Sequence, residues 1–258
     1  MTNSLVTNIK ASSLLLRGIA HLFHGMWTIT RHFPEATPQQ KSEHIAQWAR
    51  RLLAILRIDL RTNGTAQTTG PLLVVSNHIS WLDILVLLAV QPVRFVSKAE
   101  IKRWPVIGWL ATNAGTLYIE RESRRDALRV VHHIAEALRG EDPVYGAAGS
   151  IIAVFPEGTT SDGSTVLPFH ANLIQAAISA HAPVQPVALR FEDAASGERS
   201  FAASYIDDDT LFTSVWRLMC AQPLSVVVSF GRLQVAGQRD RREWAADLHV
   251  NIVAQVTL

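Results

Sequence analysis

Residues 72–83 read Leu72-Leu73-Val74-Val75-Ser76-Asn77-His78-Ile79-Ser80-Trp81-Leu82-Asp83. The apolar run Leu72 to Val75 predicts a buried strand, and a second apolar run, Ile84 to Val90, predicts a helix. The polar turn between them puts His78 and Asp83 near a strand-to-helix junction, where an α/β sheet presents reactive groups. The step from 78 to 83 is short enough for one helical turn to bring the carboxylate back against the imidazole. A histidine held this way has a fixed tautomer and is a better base. The same residues also admit a plainer reading. Ser80 to Asp83 fits a capping box, Asp83 favours a helix N-terminus, and His78 is then a turn residue.

Outward from this stretch the pattern alternates. Strands are predicted at 72–76, 93–97, 116–119, 151–155, 184–189 and 225–230, and helices at 83–90, 106–113, 123–139, 171–180, 209–219 and 240–256. The fold class is α/β: a mixed, partly parallel sheet flanked by helices. Segments 140–150 and 192–204 read as loops. The Gly/Thr-rich stretch Thr62 to Pro71 is the one clear boundary, dividing an N-terminal helical segment, 1–61, from an α/β domain, 62–258.

The 258 residues are 48% hydrophobic, enough to fill the core of one large domain. A single cysteine, Cys220, excludes an internal disulfide and fits a reducing compartment; it lies in an apolar helical stretch and reads as a core residue rather than a nucleophile. The net charge of +2 hides an asymmetry. Residues 1–61 hold eight Lys or Arg against three Asp or Glu, a net of +5; the remainder hold sixteen against nineteen, a net of −3. A basic, apolar N-terminal segment without aromatic interleaving points to a membrane surface rather than nucleic acid.

Residues 1–13 read as polar and loose, followed by a helix from Leu14 to Arg31. On it Arg17, His21, His24, Thr28 and Arg31 form one narrow polar stripe amid apolar residues such as Leu15, Ile19, Phe23 and Trp27. The apolar run falls short of the roughly 18 residues a membrane span needs, and no cleavage site follows, so an interfacial helix is expected. A second helix is predicted from about Gln39 to Leu60, with Ile45, Trp48, Leu52 and Leu56 on one face and Arg50, Arg51 and Arg57 able to reach lipid headgroups. The two form a helical hairpin. The alternative is an amphipathic helix packed on the domain.

Two further blocks carry chemistry. Ile151 to Phe155 predicts a strand that runs into Pro156-Glu157-Gly158-Thr159-Thr160-Ser161-Asp162-Gly163, a turn able to offer N–H and hydroxyl donors to a phosphate, or simply a tight turn. Gly115 to Glu120 predicts a strand ending at Arg121, suited to bidentate phosphate binding, or solvated with Arg124 and Arg125 at a helix start. There is no P-loop, dinucleotide fingerprint or G-x-S-x-G elbow. Asp207, Asp208 and Asp209 precede an apolar run; they read as helix N-terminal charge rather than metal ligands.

Taken together, Asn77 to Asp83, Gly115 to Arg121, Phe155 to Thr159 and Val184-Gln185-Pro186-Val187-Ala188 resemble the glycerolipid acyltransferase family, nearest its lysophosphatidic acid acyltransferase (PlsC-like) branch, over about residues 70–190. Lys98, in Ser97-Lys98-Ala99-Glu100, also resembles the family's segment between its first two blocks. The hairpin is similar to the membrane-docking element of bacterial members. The resemblance implies direct acyl transfer from acyl-ACP or acyl-CoA to the hydroxyl of lysophosphatidic acid, forming phosphatidic acid at the cytoplasmic face of the bacterial inner membrane. It implies no cofactor and no metal. His78 and Asp83 would be catalytic, and Arg121, Glu157, Gly158, Thr159, Asn77 and Lys98 would bind substrate. Thr160 stands where many members carry Arg, and Leu167-Pro168-Phe169-His170 where many carry Phe-Lys-x-Gly. Such variants resemble a branch that acylates lyso-ornithine lipids, the alternative acceptor. Rival readings from other classes are a peripheral esterase or thioesterase and a non-catalytic lipid-binding protein.

Overall fold

The structure, a computed structural model, describes residues 2–119, 124–141 and 149–257. Its centre is strand β2 (Leu72–Ser76), all five residues of which are buried. Leu72 and Val74 pack into one apolar cluster and Leu73 and Val75 into another, so β2 is covered on both faces. The sheet around it has the order β1 (Ile58–Asn63), β7 (Leu224–Phe230), β6 (Val184–Asp193), β2, β5 (Ile151–Val154), β3 (Arg94–Lys98), β4 (Leu117–Ile119). Every pairing is parallel except β6 with β7. The expected mixed, partly parallel sheet is therefore present, with β6–β7 its one antiparallel pairing.

One face carries α1 (Thr2–His32), α2 (Pro38–Ile55), α3 (Leu82–Val90) and α7 (Leu211–Cys220). The other carries α5 (Arg124–Arg139), α6 (Ile174–Ser179) and α8 (Arg241–Val256). A short α4 (Ile107–Asn113) links β3 to β4. Helix starts follow the local chemistry: Thr37 and Gln40 form a capping box on α2 with Pro38 behind it, and Asp240 and Glu243 form another on α8. Asp209, from the acidic triplet, pairs with Arg217 of α7 at 2.8 Å. Cys220 packs partly buried against the core.

Three local readings are corrected. Residues expected to be loose at the N-terminus belong to α1, which runs from Thr2. The second helix stops at Ile55, not Leu60, because Arg57 takes a left-handed φ of 62° and the period then changes to two. Ile58 is buried and Asp59 exposed, and the segment becomes β1, pairing with β7 in parallel. The polar stripe on α1 is also divided: Arg17, His24 and Arg31 are exposed, but His21 is buried. Ala11, Leu14, Gly18, His21 and Gly25 are the buried side, while Val6, Ile9, Leu16, Ile19, Phe23 and Trp27 are exposed. Small residues let α1 approach closely: a Cβ at Gly25 would lie 2.5 Å from Nε1 of Trp48. His21 bonds through Nε2 to the Trp48 carbonyl at 2.9 Å, and Trp48 donates back to the His21 carbonyl at 3.1 Å. Burial holds the His21 imidazole below its ordinary pKa, against the raising effect of the Trp48 bond.

Candidate active site at the end of β2

Beyond Ser76 the chain leaves the C-terminal edge of the sheet, and Asn77 fixes where it leaves. Its side-chain amide donates to the Leu189 carbonyl at 3.0 Å and accepts from the Leu189 N–H at 2.8 Å, tying the turn to β6. Asn77 is buried, so its amide is a bridge between strands. The residue after it, His78, begins the turn into α3.

Asp83, in the first turn of α3, is fully buried. One of its oxygens, Oδ2, faces Nδ1 of His78 at 2.7 Å and accepts from the N–H groups of Ile79 at 2.6 Å and Ser80 at 2.8 Å. Both sequence readings of Asp83 therefore hold at once: it binds turn amides at a helix start and it holds the imidazole. With the carboxylate accepting, Nδ1 carries the proton and Nε2 is left with its lone pair. Nε2 has no partner among the described residues, and the His78 side chain is 19% exposed, so a substrate proton can reach it. The ring lies on Phe155, at 4.0 Å between centroids and 8° between planes, and Phe155 in turn lies 5.9 Å from Phe95. The imidazole is thus fixed at one edge and over one face.

The loop after β5 secures the main chain of the same residue. Glu157 accepts from the His78 N–H at 2.6 Å through Oε1 and from the Leu167 N–H at 2.7 Å through Oε2. Ser161 donates its N–H to the His78 carbonyl at 2.9 Å. Burial pushes the Glu157 carboxyl up to about 7; its two amide bonds and His78 pull the other way, while Asp83 adds to the rise. Gly158 turns the chain with a φ of 74°, and His170 lies beside it, its ring 3.1 Å from where a Cβ on Gly158 would sit. Thr160 donates its hydroxyl to the Tyr205 carbonyl, and Tyr205 donates its N–H to the Ile79 carbonyl at 3.1 Å.

Of the residues expected to bind substrate, Glu157 accepts from the His78 N–H, and Asn77, beside His78, ties the turn to Leu189 of β6. Gly158 and Thr159 are exposed on the turn beside it. Lys98 is exposed at the end of β3, two strands from β2 along the same C-terminal edge. Arg121 lies outside the described residues. The sequence did not single out Phe155, Ser161 or His170 as site residues. The signal for Phe155 was its place at the strand end, one residue before Pro156-Glu157-Gly158.

A catalytic-type histidine and carboxylate at a strand end, with an anion-ready turn beside them, is the arrangement against which the comparisons with known proteins can be set. The acyltransferase family model matches residues 57–190. A 1-acyl-sn-glycerol-3-phosphate acyltransferase of Neisseria meningitidis serogroup B is 38% identical over 206 residues, covering 80% of this chain and 77% of that protein. A lyso-ornithine lipid O-acyltransferase of Pseudomonas aeruginosa is 39% identical over 179 residues, covering 69% of this chain and 65% of that protein. Among solved structures, the LPA acyltransferase PlsC from Thermotoga maritima superposes with a TM-score of 0.72 at 17% identity, covering 98% of this chain and 96% of that one, a likeness of fold. From its matched domain, its relatives and the site just described, the chain belongs to the acyltransferase family.

Proposed function

We propose that this acyltransferase moves a fatty acyl chain from an acyl-CoA or acyl-ACP thioester to the free hydroxyl of lysophosphatidic acid. The observation that carries the mechanism is the His78–Asp83 pair with Nε2 left unpartnered. Nε2 takes the hydroxyl proton, and the ionised Asp83 stabilises the imidazolium. The acceptor oxygen attacks the thioester carbonyl carbon, the carbon–sulfur bond breaks, and the leaving thiolate takes the proton back from His78. No enzyme acyl intermediate forms. The reaction asks nothing of a metal, because the thioester is already activated.

The acceptor's phosphate is assigned to the turn at Gly158. The main-chain N–H groups of Thr159 and Thr160 have no partner among the described residues, and a left-handed glycine before them makes the concave turn that suits an anion. Arg121 is proposed as the second anion ligand on its sequence position alone. Thr160 spends its hydroxyl proton on Tyr205, so its side chain adds no donor to the headgroup site. That observation favours the second reading, a zwitterionic lyso-ornithine acceptor, which needs less anion binding.

The hairpin is proposed to rest on the cytoplasmic leaflet. Helix α1 has no acidic residue and turns Ile9, Leu16, Phe23 and Trp27 outward. Among the described residues no helix is long and apolar enough to cross a membrane. The test of the function is purified enzyme with a labelled acyl donor and a panel of lysolipids. Labelled phosphatidic acid supports the reading. Labelled ornithine lipid alone moves the acceptor, released fatty acid alone means a thioesterase, and no turnover with bound lysolipid means a binding protein.

A further inference from the structure

Glu157 is a buried carboxylate with no cationic partner at hydrogen-bond distance among the described residues; both of its oxygens accept from main-chain N–H groups. One belongs to His78 and the other to Leu167, ten residues further along its own loop. Each oxygen is thus committed to a peptide group of the fold. Its bonds converge on the catalytic turn from a different element, and the same loop returns through the Ser161 N–H to the His78 carbonyl. The peptide groups on both sides of His78 are therefore held by residues 157–161, while Asp83 and Phe155 hold the ring.

We infer that Glu157 is a positioning residue: its ionised carboxylate locks the His78 main chain to the 158–167 loop, and turnover depends on that lock. Only a carboxylate can do this, because two opposed N–H donors need two acceptors. A glutamine, or Glu157 with a proton on it, turns an N–H or O–H against one of them. Loss of either bond lets the imidazole drift, and a shift of about 1 Å in a reacting group costs roughly 10²-fold in rate. Burial without a cation keeps the proton on Glu157 to an unusually high pH, about 7, so the lock opens as the solution turns mildly acidic. The ionisable groups that face it are His78 and Asp83, across the turn, the first favouring its charge and the second opposing it. His170, on the same loop, lies beside Gly158.

The inference rests on His78 being the base, and its test is built so that a wrong choice of acceptor leaves it standing. The variant is Glu157→Gln, read in two ways. In steady-state kinetics on whichever lysolipid turns over, kcat should fall about 10- to 100-fold with the acceptor KM changed by less than about three-fold. The ratio of wild-type to variant kcat should shrink as pH is lowered through about 7, since the protonated wild type then resembles the variant. Without any substrate, the low-field Nδ1–H resonance of His78, identified by its absence in His78→Ala, should be sharp in wild type at pH 8, broaden as pH falls through about 7, and already be broad in Glu157→Gln at pH 8. A large rise in acceptor KM at unchanged kcat, a pH-independent kcat ratio, or a resonance that is the same in both proteins overturns the inference.

Discussion

One carboxylate oxygen of Asp83 holds the ring of His78 and the two peptide N–H groups that follow it, at 2.7, 2.6 and 2.8 Å. The helix start and the His78–Asp83 pair are thus a single structure. Whatever forms the first turn of α3 also sets the imidazole, so the ring is oriented as a consequence of folding.

This coupling separates two substitutions at Asp83. Asp83→Asn keeps an oxygen for the three donors but removes the charge that stabilises the imidazolium. It should lose about 10²–10⁴-fold in kcat with little change in melting temperature. Asp83→Ala also strands the buried N–H groups of Ile79 and Ser80. It should cost about 1–3 kcal/mol for each, which lowers the melting temperature by several degrees as well. Thermal melts beside kinetics on both variants check this; equal melting losses, or an active Asp83→Asn enzyme, would speak against it.

Glu157 gives a stability effect whose sign follows from its direction of shift. Its carboxyl is raised from 4.5 to about 7 in the folded protein, so the folded state keeps the proton where the unfolded chain has lost it. That contribution is whole below about pH 4.5 and is lost as pH rises to about 7. Wild type should therefore fall in stability relative to Glu157→Gln across that window, by up to about 3 kcal/mol. Melting curves of the two proteins between these pH values measure it. Parallel curves would mean that burial does not raise this group.

The outward face of α1 makes a third expectation. Phe23 and Trp27 are 60% and 56% exposed, and the Trp27 ring meets those of His24 and His32. The double variant Phe23→Ala/Trp27→Ala should weaken binding to anionic vesicles at least about ten-fold, because each aromatic ring loses roughly 1.5–3 kcal/mol of burial. Binding of the wild type should also fall as salt rises from about 0.05 to 0.5 M. Co-sedimentation with phosphatidylglycerol vesicles is the measurement. Unchanged partition of the double variant would place the lipid contact elsewhere.

How much of this was legible depended on whether the information is local. The His78–Asp83 pairing could be read because both residues lie within one short stretch at a helix start, where a capping box was the other reading. The strand cores could be read because Leu72 to Val75 and Ile151 to Val154 are unbroken apolar runs covered on both faces. Strand β1 was hidden, since Leu60 continues the helical spacing of Leu52 and Leu56 and only the backbone reversal at Arg57 ends it. His21 reads as one member of a polar stripe because a sequence does not reveal that Trp48, on another helix, offers it a carbonyl. Glu157 lay within a recognised block, yet its partners are peptide groups of His78 and Leu167, and a peptide group leaves no mark in the residue pattern.

The central claim is that His78 takes the acceptor's proton. It is tested most directly by single-turnover acyl transfer with His78→Ala, folded to the wild-type melting temperature and saturated with both substrates. The account expects transfer to slow by about 10²–10⁴-fold with lysolipid binding retained. A folded His78→Ala protein that transfers acyl chains at close to the wild-type rate would contradict it.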